Sequence, residues 1–255
     1  YPYTSFYLYN KSNFNLANRP PIVSYNFNEP STLFNGMISP LIPYTMKGVV
    51  WYQGENNAFR HEEYGELFSL LISDWRSKWD NDFSFYYVQI APYFNYYNSN
   101  APLREVQRKA LEVPKTGMVV TLDIGEKYDI HPSNKHDVGF RLARYALKND
   151  YKIDLIDSGP LYMSQSIHED VIKVFFKHFG DGLVLDENRY SEFEVAGIDK
   201  KYFVADVVNQ NDFLEVFSDN VKNPLYVRYA WSDTSSASLF NSEGLPASSF
   251  NTENE

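Results

Sequence analysis

From Gly48 onward the chain alternates between short runs of consecutive apolar residues and longer stretches in which apolar positions recur every three or four residues. The β-branched and aromatic run Val49-Val50-Trp51-Tyr52 predicts a buried strand over 49–52. Tyr64, Leu67, Leu71 and Trp75 share one helical face and predict a helix near 62–78, followed by a strand over 85–90. Leu103, Val106, Ala110 and Leu111 form a second helical stripe, which Pro114 and Gly117 break before a third apolar strand, Met118-Val119-Val120-Thr121-Leu122. A helix near 136–148 carries Val138, Leu142 and Tyr145 on its inward face. Strands separated by helices cannot be joined as hairpins, so the pattern predicts parallel pairing with right-handed crossovers.

Beyond about Asp154 the period shortens to that of strands: 160–167, 171–176, 192–196, 202–208, 213–217 and 224–231, with turns such as His168-Glu169-Asp170 and Gly180-Asp181-Gly182 between them. The organisation expected is therefore an α/β part over 33–154 and an all-β module over 155–255. Residues 1–32 are aromatic, rich in Asn and broken by Pro20-Pro21 and Pro30, with no sustained period, and read as a covering loop. The tail Asn251-Thr252-Glu253-Asn254-Glu255 is expected to fray.

With 255 residues and 44% hydrophobic content the chain can bury a full core. Its formal charge of −10 and lack of a basic cluster argue against nucleic acid as a partner. Aromatic residues reach 17%, which suits stacking on sugar rings as well as a Tyr-rich core. No cysteine is present, which rules out disulfides and thiolate metal sites, and no apolar run is long enough to span a membrane. The chain begins Tyr1-Pro2-Tyr3 and contains neither a starting Met nor a signal peptide, so a fragment or processed chain is expected.

The candidate chemistry sits where two strands end. Gln53-Gly54-Glu55 closes the first apolar run, and side chains of this kind are costly to desolvate there unless they have partners. Either they serve a site or they cap a neighbouring loop. A polar loop over 123–135 follows the third strand and holds Asp123, Asp129 and His131. In open α/β sheets ligand groups gather at the carboxyl ends of strands, so the two motifs are expected to converge. Of the five histidines, His131 is the candidate; a structural histidine pinned by Asp129 fits the same residues. His61 and His136 fall near helix starts, and His168 and His178 in a turn and a loop.

The runs Leu33-Phe34-Asn35-Gly36-Met37-Ile38-Ser39-Pro40-Leu41-Ile42-Pro43-Tyr44 and Lys47-Gly48-Val49-Val50-Trp51-Tyr52-Gln53-Gly54-Glu55 resemble the sialate O-acetylesterase family of SGNH-type ester hydrolases. So do Asp74-Trp75-Arg76, Val88-Gln89-Ile90-Ala91-Pro92, Leu103-Arg104-Glu105-Val106-Gln107, Asp123-Ile124-Gly125-Glu126, Asp129-Ile130-His131-Pro132, Val227-Arg228-Tyr229-Ala230-Trp231 and Gly244-Leu245-Pro246-Ala247. The resemblance implies an N-terminally truncated, flavodoxin-like SGNH domain of three layers, then the β module. It also implies hydrolysis of acetyl esters on a sugar or glycan by a serine, histidine and acid mechanism without cofactor or metal.

His131 matches the catalytic histidine of that family, and Gln53, Gly54 and Asn57 the oxyanion and substrate-binding positions. Relatives often carry Ser or Thr where Asn56 stands. The orienting carboxylate is Glu55 or Asp129, since Tyr128 occupies the place three before the histidine where these hydrolases commonly carry Asp; Glu55 is slightly favoured. The family's serine lies in a glycine-serine block upstream of Asn35, and none of the 12 glycines here is followed two places later by serine. The nucleophile is therefore expected upstream of this chain, which alone would be inactive, and a periplasmic or secreted parent is favoured. The rival reading is a non-catalytic carbohydrate-binding or interaction protein on the same fold.

Overall fold

The computed structural model describes residues 31–95, 99–186 and 191–254. All but the last two residues of the expected covering loop lie outside that range. A short helical stretch, Phe34–Ile38 continuing into Ser39–Leu41, leads into a three-stranded parallel sheet. Its strands are β1 (Gly48–Trp51), β2 (Ser84–Val88) and β3 (Thr116–Val119), side by side in that order, with Val50 opposite Tyr86 and Tyr87 opposite Met118. Helix α1 (His61–Trp79) joins β1 to β2, α2 (Asn100–Lys109) joins β2 to β3, and α3 (Lys135–Asn149) follows β3. The first turn of α1 carries Glu62 and Glu63 and its last turn Arg76 and Lys78, the arrangement that opposes the helix dipole. Asp80 ends it in the left-handed conformation. The Asn134 side chain caps α3 by accepting the Asp137 backbone N–H at 3.1 Å.

The antiparallel part has four longer strands in the order β4 (Leu161–His168), β5 (Val171–Lys177), β10 (Phe213–Phe217) and β9 (Asp206–Asn209). A second sheet runs β13 (Phe250–Asn251), β11 (Tyr226–Tyr229), β7 (Phe193–Ala196) and β8 (Phe203–Val204), and β12 (Leu239–Asn241) pairs with β6 (Leu183–Leu185). The single strand expected over 202–208 is two strands. At the buried Ala205 the chain leaves β7 and crosses to the other sheet, where β9 pairs with β10. Alternation of apolar and polar residues continues through such a crossing, because both sheets turn an apolar face to one core.

That core is continuous from the parallel sheet into the antiparallel part. Trp51 meets Trp75 edge-on with ring centroids 6.0 Å apart, Phe68 meets Tyr87 at 5.0 Å, and further along Phe193 meets Tyr229 at 4.6 Å. Arg104 of α2 is 0% exposed and fastens the two parts together. Its guanidinium donates to the carbonyls of Ala230 (3.0 Å) and Ser232 (2.6 Å) and to Ser249 Oγ (3.3 Å). Around it, Gln89 donates to Ser248 Oγ at 2.9 Å, and Asp233 accepts the backbone N–H of Asn100 at 2.8 Å. The Ala237 backbone N–H reaches Leu122 O, just past β3, so the antiparallel part braces the start of the loop that carries His131.

Candidate functional site

β1 ends at Trp51, and Tyr52, Gln53 and Gly54 lead from it into a 3-10 turn over Glu55–Arg60. Gly54 is required by space: a Cβ there would lie 2.9 Å from Ile90 Cγ2 and 3.0 Å from Gln107 Nε2. The Gln53 carbonyl is held by Tyr64 Oη at 3.1 Å and by Gln107 Nε2 at 3.4 Å. Its side-chain Nε2 donates to Asn57 Oδ1 at 2.8 Å, while its Oε1 is buried without a partner among the described residues. Asn57 is buried, and its backbone N–H donates to Gly54 O at 2.7 Å, closing the turn.

The loop after β3 is fixed at several points. Asp123 receives a two-pronged bond from Arg141 of α3, whose Nη1 also reaches Val120 O at 2.7 Å. Glu126 Oε1 accepts the backbone N–H of Ser133 at 2.7 Å and its hydroxyl at 2.6 Å. Asp129 Oδ1 accepts the backbone N–H of His131 at 2.7 Å. Among the described residues neither Asp129 nor Glu55 makes an ion pair or hydrogen bond with the His131 ring.

Gln53, Glu55 and His131 line one cavity of about 490 Å³ at the carboxyl edge of the sheet, together with Tyr52, Asn56, Ile130 and Lys135. Gly54 stands between two of them, Asn57 lies behind Gln53, and Asp129 acts on the backbone of the loop. Burial raises the Glu55 carboxyl above the usual glutamate range, against the opposing pull of the Glu55 and Gly54 backbone amides and of the His131 and Lys135 charges. Burial, then the Glu55 charge, pushes the Tyr52 and Tyr93 phenols up to about 12. The Tyr52 hydroxyl is buried without a partner among the described residues, and Lys135 Nζ stands 4.9 Å from the centre of the Tyr52 ring. A poised carboxyl, an imidazole and amide groups around one cavity are equipment for proton transfer to and from an ester.

Tyr52 and Lys135 are the members of this cavity that periodicity conceals. Tyr52 reads as one more aromatic of an apolar strand, and Lys135 as the last residue of a polar loop. A second cavity, of about 580 Å³, opens at the opposite edge of the sheet beside Lys47, Ser84 and Thr116. Its Asp150 is engaged by Ser84 Oγ and the Tyr86 hydroxyl and its Asp82 by Lys115, and no histidine lines it, so the first cavity is the candidate site. Among the described residues no group of three or more His, Asp or Glu could hold a metal, and no helix is long and apolar enough to cross a membrane.

Residues 23–148 match the family model of carbohydrate esterases described as sialic acid-specific acetylesterases. The sialate O-acetylesterase of Mus musculus is 34% identical over a stretch covering 51% of this chain and 28% of that protein. That of Homo sapiens is 31% identical, covering 51% and 29%. The chain thus spans under a third of the length of these relatives. A solved carbohydrate acetylesterase from Xanthomonas citri superposes with a TM-score of 0.83 at 36% identity, covering 89% of this chain and 55% of that one. By this match and these relatives, residues 23–148 of the chain belong to the sialate O-acetylesterase family of carbohydrate esterases.

Proposed function

We propose that the chain forms the histidine-bearing part of a serine esterase that removes acetyl groups from O-acetylated sugars. The observation that carries this reading is the shared cavity of Gln53, Glu55 and His131, built from two loops at one sheet edge. The serine is assigned upstream of this chain, as the family resemblance implies. His131 accepts its proton as it attacks the acetyl carbonyl, and the negative oxygen faces Gln53 and backbone N–H groups. Collapse of the intermediate expels the sugar hydroxylate, which takes the proton back from His131, and water then repeats the sequence on the acetyl-enzyme. Glu55, which lines the same cavity, is assigned to hold the imidazole in the tautomer that this cycle needs, through a hydrogen bond that forms when substrate fills the site. Lys135 adds positive charge at the cavity.

Acetate release from O-acetylated N-acetylneuraminic acid, measured with the full reading frame that encodes this chain and with the 255-residue chain alone, tests the reading. The full frame is expected to turn over and the chain alone to stay near the uncatalysed rate. Binding of the sugar without acetate release from the full frame would overturn the esterase reading and support a carbohydrate-binding protein.

A further inference from the structure

We propose that Tyr128 is a stacking platform for the sugar ring next to the acetylated one, so that the site selects glycan chains over single sugars. The inference rests on the esterase reading above. Tyr128 is 84% exposed at the tip of a turn, yet the turn itself is tied down. The Asp129 backbone N–H closes it onto Glu126 O at 3.0 Å, the Phe94 backbone N–H donates to Lys127 O at 2.7 Å, and the Glu126 carboxylate clamps Ser133. Gly125 packs so tightly on Pro92 that a Cβ would lie 2.4 Å from its Cδ. A single exposed aromatic on a protein surface is ordinary. This one is held in place on the loop that delivers His131.

Ile130 and His131 line the cavity and Tyr128 does not, yet it stands only two residues before Ile130, within roughly 7 Å of it along the chain. On this proposal a single acetylated sugar fills the cavity and the neighbouring ring of a chain lies against Tyr128. Lys127 Nζ lies 5.4 Å from the centre of the Tyr128 ring. The exposed surface of the ring is left for the C–H groups of a pyranose, which the negative face of an aromatic ring attracts.

The test compares the full reading frame with its Tyr128→Ala and Tyr128→Phe variants on p-nitrophenyl acetate, an O-acetylated methyl xyloside and a partly O-acetylated xylohexaose. Tyr128→Ala is expected to lower kcat/KM on the oligosaccharide, through KM, by roughly 3- to 10-fold more than on the xyloside. Tyr128→Phe is expected to retain the preference of the unmodified protein. Equal losses on both substrates would mean that Tyr128 only supports the loop, and equal losses for Ala and Phe would mean that the hydroxyl, not the ring face, is used; either overturns the proposal. If p-nitrophenyl acetate is not hydrolysed at all, the esterase reading fails separately. Calorimetric titration with xylohexaose then decides the platform: weaker binding by Tyr128→Ala supports it, and equal or absent binding overturns it.

Discussion

The Asp129 carboxylate accepts the backbone N–H of His131 at 2.7 Å, whereas Glu55 lines the same cavity as the His131 ring. One carboxylate shapes the turn and the other faces the imidazole's surroundings. Removing each is therefore expected to have different consequences for acetate release by the full reading frame. Glu55→Gln is expected to lower kcat by up to about 10⁴, the loss seen when a triad histidine loses its orienting carboxylate. Asp129→Ala is expected to cost far less, because Glu126 and Ser133 still hold the loop. A larger loss from Asp129→Ala than from Glu55→Gln would transfer the orienting role to Asp129.

Glu55 also sets a pH dependence of stability. Burial raises its pKa in the folded chain, so between the ordinary glutamate value of 4.5 and the raised one the folded state holds a proton that the unfolded state has lost. Stability contributed by that proton falls as pH rises through the window and stays lower above it. Glu55→Gln removes the buried charge and is expected to raise Tm at neutral pH, with the gain fading below 4.5. Thermal melts at several pH values check this; a Tm lowered equally at all of them would contradict it.

Gln53 and Asn57 are joined by a 2.8 Å side-chain bond, so the amide assigned to the oxyanion is aimed by its neighbour. Gln53→Ala is expected to cost about 10² to 10³ in kcat if its amide is one donor among several. Asn57→Ala is expected to cost part of that, and the double variant little more than Gln53→Ala alone. Fully additive losses in this double-mutant cycle would show that the two side chains act independently.

Arg104 ties α2 to the carbonyls of Ala230 and Ser232 from a fully buried position, and burial lowers its pKa to about 10. Arg104→Ala strips a buried hydrogen-bond network of its cation and leaves the buried carboxylate of Asp233 less compensated. A loss of about 3–5 kcal/mol in urea unfolding is expected, with a smaller loss for Arg104→Met, which keeps more of the packing. A cost below about 1 kcal/mol would mean that the two parts are joined by the apolar core alone.

The helices of the α/β part were legible because they are long enough to show a period, whereas the strand expected over 118–122 is Thr116–Val119 and includes Gly117. The stripe of Val138 and Tyr145 locates α3 to within a residue at each end, and the run from Val49 to Trp51 locates β1. Strands β6, β12 and β13 have two or three residues and display no period at all. The crossing at Ala205 was hidden because both sheets offer the same alternation. A buried arginine such as Arg104 contradicts the expectation that charge lies outside, and only its carbonyl partners from a distant part of the chain make it stable there. At the site, Gln53, Glu55 and His131 stood out as polar groups at strand ends. The closeness of Lys135 to Tyr52 depends on where α3 begins in space.

The central claim is that His131 is the proton carrier of an acetylesterase. The most direct measurement is the steady-state rate of acetate release from an O-acetylated sugar by the full reading frame with and without His131→Ala. The variant is expected to fall to the residual level of serine hydrolases that lack a triad member, roughly 10³ to 10⁴ over the uncatalysed reaction, while remaining folded by circular dichroism. A folded His131→Ala protein that releases acetate at the unmodified rate would contradict the account.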